Sequence, residues 1–380
     1  LVEKGFLLTN EQQFEQMTKL DLLGITEKEE ITGDFHTEFT ESLKQNKNGR
    51  YIANLPWKKD IVGLPNNKQL ALCRLKRNTE RLTKLNKIEE YHEIMREQIR
   101  DGILEEVTAP KSHREVVHYI PHQAVIKEEA ESTKLRVVYD CSAKAKPEEP
   151  SLNDCLETGP PLQPHLFDIL MRTRTYKYLL TGDICKAFHQ IMIKTEDTDA
   201  QRLFWYDNLD DKNVKEYRFT RVIFGCNSSP YILGATLQKH FLKYENKYPE
   251  SIQSLLQNTY VDDIIAGSNS VKKLEQFKEN AICIMGEAQM RLHKWKSNMQ
   301  ALEKQEVAAD QPREEYPTFA DLTNNTRDHE TKILGINWDN VKDNISINFK
   351  EIDAKAKKVT KRIILSYVHR IFDIIKLISP

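Results

Sequence analysis

Two acidic residues stand side by side in Tyr260-Val261-Asp262-Asp263, between the apolar pieces Leu255-Leu256 and Ile264-Ile265-Ala266. Adjacent side chains of a continuous strand point to opposite faces, so a site that uses both carboxylates must place them at a turn, as a hairpin does. Two like charges held there repel each other and lose solvation, and a divalent cation removes both costs. The plain alternative is an exposed Asp-Asp turn that binds nothing.

A second carboxylate element lies upstream. Tyr178 to Ile184 reads as an apolar strand that carries Asp183 near its end, followed by Cys185-Lys186-Ala187-Phe188 and a helix from about Lys186. Brought beside Asp262, Asp183 completes an oxygen cage suited to Mg²⁺, which demands near-octahedral oxygen coordination. Two such ions can clamp the attacking and leaving oxygens of a phosphoryl transfer. As a simple helix N-cap, Asp183 would need no metal.

Two further elements offer polar contacts. In Phe224-Gly225-Cys226-Asn227-Ser228-Ser229-Pro230, Ser229 as N-cap and Pro230 at N1 would start a helix, and Gly225 would let a ligand approach the backbone. In Lys134-Leu135-Arg136-Val137-Val138-Tyr139, cations on a β element are placed to meet phosphate. A capped helix and an exposed strand are the respective plain readings.

Periodicity fills in the rest. Residues 1 to about 83 read as a polar, irregular lead-in, and Lys84 to Val107 as an amphipathic helix. Tyr119 to Ile126 and Leu135 to Tyr139 read as strands, Leu166 to Leu170 as a short helix after Pro164, and Gln201 to Tyr206 with Lys215 to Val222 as a hairpin across Asp207 to Asn213. A helix is expected from Lys272 to Lys294. Ile333 to Trp338 and Ile345 to Phe349 read as a strand pair before a last helix from about Asp353 that is basic on its first half.

Composition excludes several classes. No apolar run approaches the roughly 20 residues that span a bilayer, so no membrane partner is expected. The 56 basic and 57 acidic residues nearly cancel, so any basic surface must be local. Six cysteines without a C-x-x-C pair read as reduced intracellular thiols. His113, His118 and His122 lack the closely spaced cysteines of a zinc site, and no G-x-x-x-x-G-K-[ST] loop is present. The opening stretch has no secretory signal, and the chain reads as an internal piece of something longer.

The ordered series Arg50-Tyr51, Leu55-Pro56-Trp57, Leu135 to Ala143, Ser151 to Asp154, Asp183 to Phe188, Phe224 to Pro230, Tyr260 to Asp263, Lys294-Trp295 and Leu334-Gly335 resembles the reverse transcriptase of LTR retrotransposons, most closely the BEL/Pao group. The resemblance implies an α+β right-hand polymerase with fingers, a palm built on an antiparallel sheet, and a partial thumb. Residues 1–100 would be the lead-in and helix packed on the polymerase, 101–175 and 193–228 the fingers, and 176–192 and 229–340 the palm with a polar insertion near 301–332. Residues 341–380 would start the thumb or connection.

The same resemblance implies site roles. Asp183, Asp262 and Asp263 would be the catalytic, metal-holding trio for Mg²⁺, with Mn²⁺ as the alternative ion. Phe188 would be a steric gate against a ribose 2′-OH, Arg136 with Lys134 would meet the incoming triphosphate, and Gly225 and Tyr260 would lie beside the substrate. Leu334-Gly335 would grip the primer, and Lys357, Lys358 and Lys361 would follow the duplex. The implied partners are an RNA or DNA template with its primer, deoxynucleoside triphosphates, and adjoining protease, ribonuclease H and integrase domains of a polyprotein. The implied location is cytoplasmic, within retrotransposon particles. A catalytically inactive, element-derived nucleic-acid-binding or interaction protein is the alternative, and the intact acidic trio argues against it.

Overall fold

In the computed structural model, which describes residues 29–60, 63–108, 116–126, 135–211, 213–303 and 330–346, Leu179 and Leu180 are both fully buried. Neighbours in a strand face opposite ways, so Tyr178–Ile184 must be covered on both sides. It lies inside a four-stranded antiparallel sheet ordered Thr259–Tyr260, Asp263–Ser268, Tyr178–Ile184, Leu292–Ser297. Leu180, Ile264 and Ala266 join the main core, to which the helices Pro249–Asn258 and Val271–Gly286 contribute Ile252, Leu255, Leu274 and Phe277. Leu179 and Ile265 face a second cluster with Ile169 and Leu170 of the helix Leu166–Arg174 and Ile333, Ile336 and Trp338 of a C-terminal sheet.

Four smaller sheets surround this centre. His122–Ile126 and Leu135–Tyr139 form an antiparallel pair. Leu104–Glu106, Val214–Phe219 and Arg202–Tyr206 form a second sheet, in which the hairpin across Asp207 to Asn213 appears as expected. Buried Arg218 and Arg202 both pair with buried Asp199 beneath it, at 2.8 and 3.0 Å. Lys44–Gln45, Tyr51–Ala53 and Met192–Ile193 form a third, whose last pairing is parallel. Glu330–Ile333, Ile336–Asp339 and Asn344–Ser346 form the fourth. Helix and sheet are therefore mixed, as expected.

Several boundaries differ from the sequence reading. The expected lead-in holds the helices Glu29–Ser42 and Lys68–Lys84, and the helix expected over Lys84 to Val107 is only Ile88–Arg100. Asn86 separates the two helices: it takes a left-handed φ of 53°, and Lys87 N–H returns to the Leu82 carbonyl, a Schellman stop. The same device at Gln289, with Met290 N–H on the Met285 carbonyl, ends Val271–Gly286 well before Lys294. Instead of a helix after Lys186, only the 3₁₀ turn Ala187–Gln190 forms. Ser229 is inside its helix, Ser228 is the N-cap residue, and the Ser229 hydroxyl donates to the Ile223 carbonyl. Ile333 to Trp338 is a hairpin rather than one strand, because Leu334 and Gly335 both have positive φ.

No helix among the described residues is long and apolar enough to cross a membrane. Lys134, Lys357, Lys358, Lys361 and most of the polar stretch 301–332 lie outside the described residues.

Candidate active site

Tyr260 pairs with Asp263, which leaves Val261 and Asp262 as the two central residues of a tight turn. Val261 carries a φ of 56°. A β-branched residue pays in strain for this conformation, and such strain survives only where the surroundings hold it. The Asp262 carbonyl accepts from Ile184 N–H at 2.9 Å, which ties the hairpin tip to the central strand.

Register then gathers the carboxylates. Asp263 stands directly opposite Asp183 in the antiparallel pairing, and Asp262 occupies the turn beside them. All three belong to the same end of one sheet. Asp183 lies within its strand, so the helix-cap alternative falls away. Burial raises the pKa of Asp262, with Asp183 adding to the effect. Burial, then the charges of Asp262 and Asp183, push Asp263 up to about 6, against a partial offset from Lys294. The site thus concentrates negative charge where solvent cannot fully screen it.

The fourth strand brings His293, which the sequence reading did not select, and Lys294, which it carried in the family series without a role. His293 stands opposite Asp183, its Nε2 3.0 Å from Asp183 Oδ2, and Lys294 Nζ is 3.9 Å from the same oxygen. The helix expected from Lys272 to Lys294 covers both positions and hides the strand that carries them. The available signal was Gly286 followed by the short Leu292 to Ser297 run, whose residues Leu292, Trp295 and Ser297 are buried.

The donor set suits a hard divalent cation, since it consists of carboxylate oxygens whose mutual repulsion an ion would relieve. Among the described residues, however, no three side chains of the ligating type are already arranged as a metal cage. His118 and His122 form no alternative centre. His118 Nδ1 contacts the Pro65 carbonyl, while His122 uses both ring nitrogens, on Tyr91 and on the Phe204 carbonyl. His113 lies outside the described residues.

The remaining expected residues are placed as follows. Phe188 follows Asp183 in the 3₁₀ turn, is 6% exposed, and meets the half-exposed ring of Phe224 edge to face at 4.7 Å. Arg136 is exposed on Leu135–Tyr139 and has no polar partner among the described residues. Gly225 has a φ of 99°, and a Cβ there would meet the Tyr139 carbonyl oxygen at 2.2 Å. What demands glycine is therefore the chain's own backbone, where the sequence reading invoked a ligand. Asn153 Nδ2 donates to the Gly225 carbonyl at 3.1 Å and fixes the same turn. Tyr260 packs on the second cluster, and Leu334 is buried in it at the C-terminal hairpin turn.

No curated protein matches this chain significantly. The family model described as Reverse transcriptase (RNA-dependent DNA polymerase) matches residues 125–338, more than half of the chain, and the match takes in Asp183, Asp262 and Asp263. The chain belongs to the reverse transcriptase (RNA-dependent DNA polymerase) family.

Proposed function

We propose that this chain is the reverse transcriptase of a BEL/Pao-type LTR retrotransposon, an RNA- and DNA-directed DNA polymerase that works with two Mg²⁺ ions, Mn²⁺ being the alternative. The observation that carries the reading is the register of Asp263 on Asp183 with Asp262 at the adjoining turn. In the reaction the primer 3′-oxygen bonds to the α-phosphorus of a deoxynucleotide, the bond to pyrophosphate breaks, and the 3′-OH proton leaves. The ions, held by Asp183, Asp262 and Asp263, would supply positive charge to the attacking and leaving oxygens. The chain's own residues position the reactants, from which most of the remaining acceleration comes.

In this reading Phe188, backed by Phe224, walls off the 2′ position of the incoming sugar. Arg136, exposed and without a polar partner among the described residues, meets the triphosphate together with Lys134. Gly225 holds its turn close to the Arg136 strand through the contact at Tyr139, and Tyr260 anchors the catalytic hairpin. The Leu334-Gly335 turn grips the primer, and Lys357, Lys358 and Lys361 follow the duplex. Fingers, palm and thumb take the boundaries given above, within a cytoplasmic particle that also holds the protease, ribonuclease H and integrase of the same polyprotein.

Primer extension on poly(A) with oligo(dT), with and without Mg²⁺, tests the activity. Metal-dependent synthesis is expected from the parent chain. Asp262→Asn and Asp183→Asn should each abolish it while leaving folding nearly intact, because each removes a ligand and little apolar area. Extension at the parent rate by either purified variant would sink the assignment.

A further inference from the structure

Away from the acidic end of the sheet, the structure also gathers positive charge that no carboxylate offsets. Ile52 pairs with Met192, and Met192 pairs in turn with Arg221, so three neighbouring segments bring Arg50 and Arg221 together. Arg50 Nη1 donates to the side-chain oxygen of Gln190 at 2.8 Å and to its carbonyl at 3.3 Å, both uncharged groups. Arg221 makes no hydrogen bond or ion pair with any described residue, and its Nη1 is shut off from solvent without a partner. Next to it, His189 has a buried Nε2 that is likewise unpartnered, and its ring lies edge-on to Phe224 at 5.6 Å. Lys186 is nearby, but it is neutralised by Glu97 and Asp101 at 2.7 and 2.9 Å.

Two guanidinium groups held together without a carboxylate repel each other and have lost water. Burial and the charge of Arg50 lower Arg221 to about 10, and burial with the nearby Lys186 and Arg221 lowers His189 to about 4. A buried donor left unsatisfied costs about 1–3 kcal/mol, so the chain gains from any group that supplies oxygen acceptors and negative charge at once. Guanidinium forks fit the oxygens of a phosphate. The Ala187–Gln190 turn, which supplies His189 and Gln190, directly follows the Asp183 strand.

We infer that Arg50 and Arg221, with Gln190 and His189 at the edge, form an anion site that takes a phosphate group during nucleotide or nucleic-acid binding. The inference rests on the polymerase reading for its ligand and on the unpartnered donors for its existence. The phosphate can come from a polynucleotide backbone or from a nucleoside triphosphate.

Inorganic phosphate is the first probe, because its binding needs no polymerisation. At constant ionic strength, phosphate in place of chloride should raise the thermal midpoint of the parent chain. Arg221→Gln should lose that rise and be no less stable than the parent in phosphate-free buffer, and Arg221→Lys should recover part of it. Arg50→Gln serves as the second variant should Arg221→Gln not fold. Binding of labelled template–primer across a salt series, together with the KM for deoxynucleotide, then separates the sources. A log-log slope reduced by about 0.7–0.9 at unchanged KM marks a backbone phosphate, and a raised KM at unchanged slope marks a triphosphate.

The inference is overturned if both Gln variants keep the parent's phosphate response, salt slope and KM. It is equally overturned if they are destabilised by the same amount in both buffers, the mark of structural arginines. A chain that extends no primer yet loses its phosphate response in the variants would keep this site and sink the polymerase reading.

Discussion

Replacing Asp263 with asparagine should make the metal-free protein more stable at neutral pH while removing its activity. The carboxylate accepts no hydrogen bond from a described residue, so the amide forfeits none. Burial, Asp262 and Asp183 hold its pKa at about 6, against 3.8 in an unstructured chain. Converted directly, that shift is about 3 kcal/mol at pH 7, and partial solvation of the site reduces it to roughly 1–2 kcal/mol. Because the folded pKa is the raised one, the native state holds the extra proton between about pH 4 and 6. The stabilising contribution is fully present below about pH 4 and is lost as pH rises through about 6. The gain from Asp263→Asn should therefore be absent near pH 4 and complete by pH 7.5.

Thermal unfolding in EDTA reads this directly. At about 1–2 °C per kcal/mol for a chain of this length, the midpoint should rise by roughly 1–4 °C at pH 7.5. Added Mg²⁺ should stabilise the parent, by about 2.7 kcal/mol at a hundredfold excess over its Kd, and stabilise the variant much less. A variant less stable than the parent at pH 7.5 in EDTA, or a difference that does not change between pH 4 and 7.5, would refute the charge-crowding argument.

Other consequences can be measured separately. Phe188→Val should accept ribonucleotides far better than the parent, read as the ratio of ribonucleotide to deoxynucleotide kcat/KM per active molecule; an unchanged ratio would leave Phe188 as a core residue. Because Phe188 is buried against Phe224, Phe188→Ala should also cost about 3–5 kcal/mol of stability, so valine is the cleaner substitution. Gly225→Ala should destabilise by at least about 2 kcal/mol in urea unfolding, since a methyl group there collides with the Tyr139 carbonyl at a φ of 99°. Changing Lys357, Lys358 and Lys361 to Gln should reduce the salt slope of template–primer binding by about 0.7–0.9 per lost contact and shorten products, with no change in sugar discrimination.

By itself the sequence determined the local pieces of the site. The Tyr260 to Asp263 hairpin, the Tyr178–Ile184 strand and the Arg202 to Phe219 hairpin were legible because turn-forming polar residues interrupt apolar runs at strand length. Helix ends were less legible. Asn86 and Gln289 stop their helices through a left-handed backbone, and neither residue type announces that conformation as glycine does. What only the tertiary structure decided is which charges meet. Strand order and register put His293 against Asp183, Asp263 across from it, and Arg221 within reach of Arg50. Pairing between strands far apart in the chain follows from how two apolar faces are buried together, and Leu179 and Leu180 show that both faces of this strand take part. With both faces apolar, alternation along this strand does not fix its register, and a shift of one residue would move both Asp263 and His293 away from Asp183.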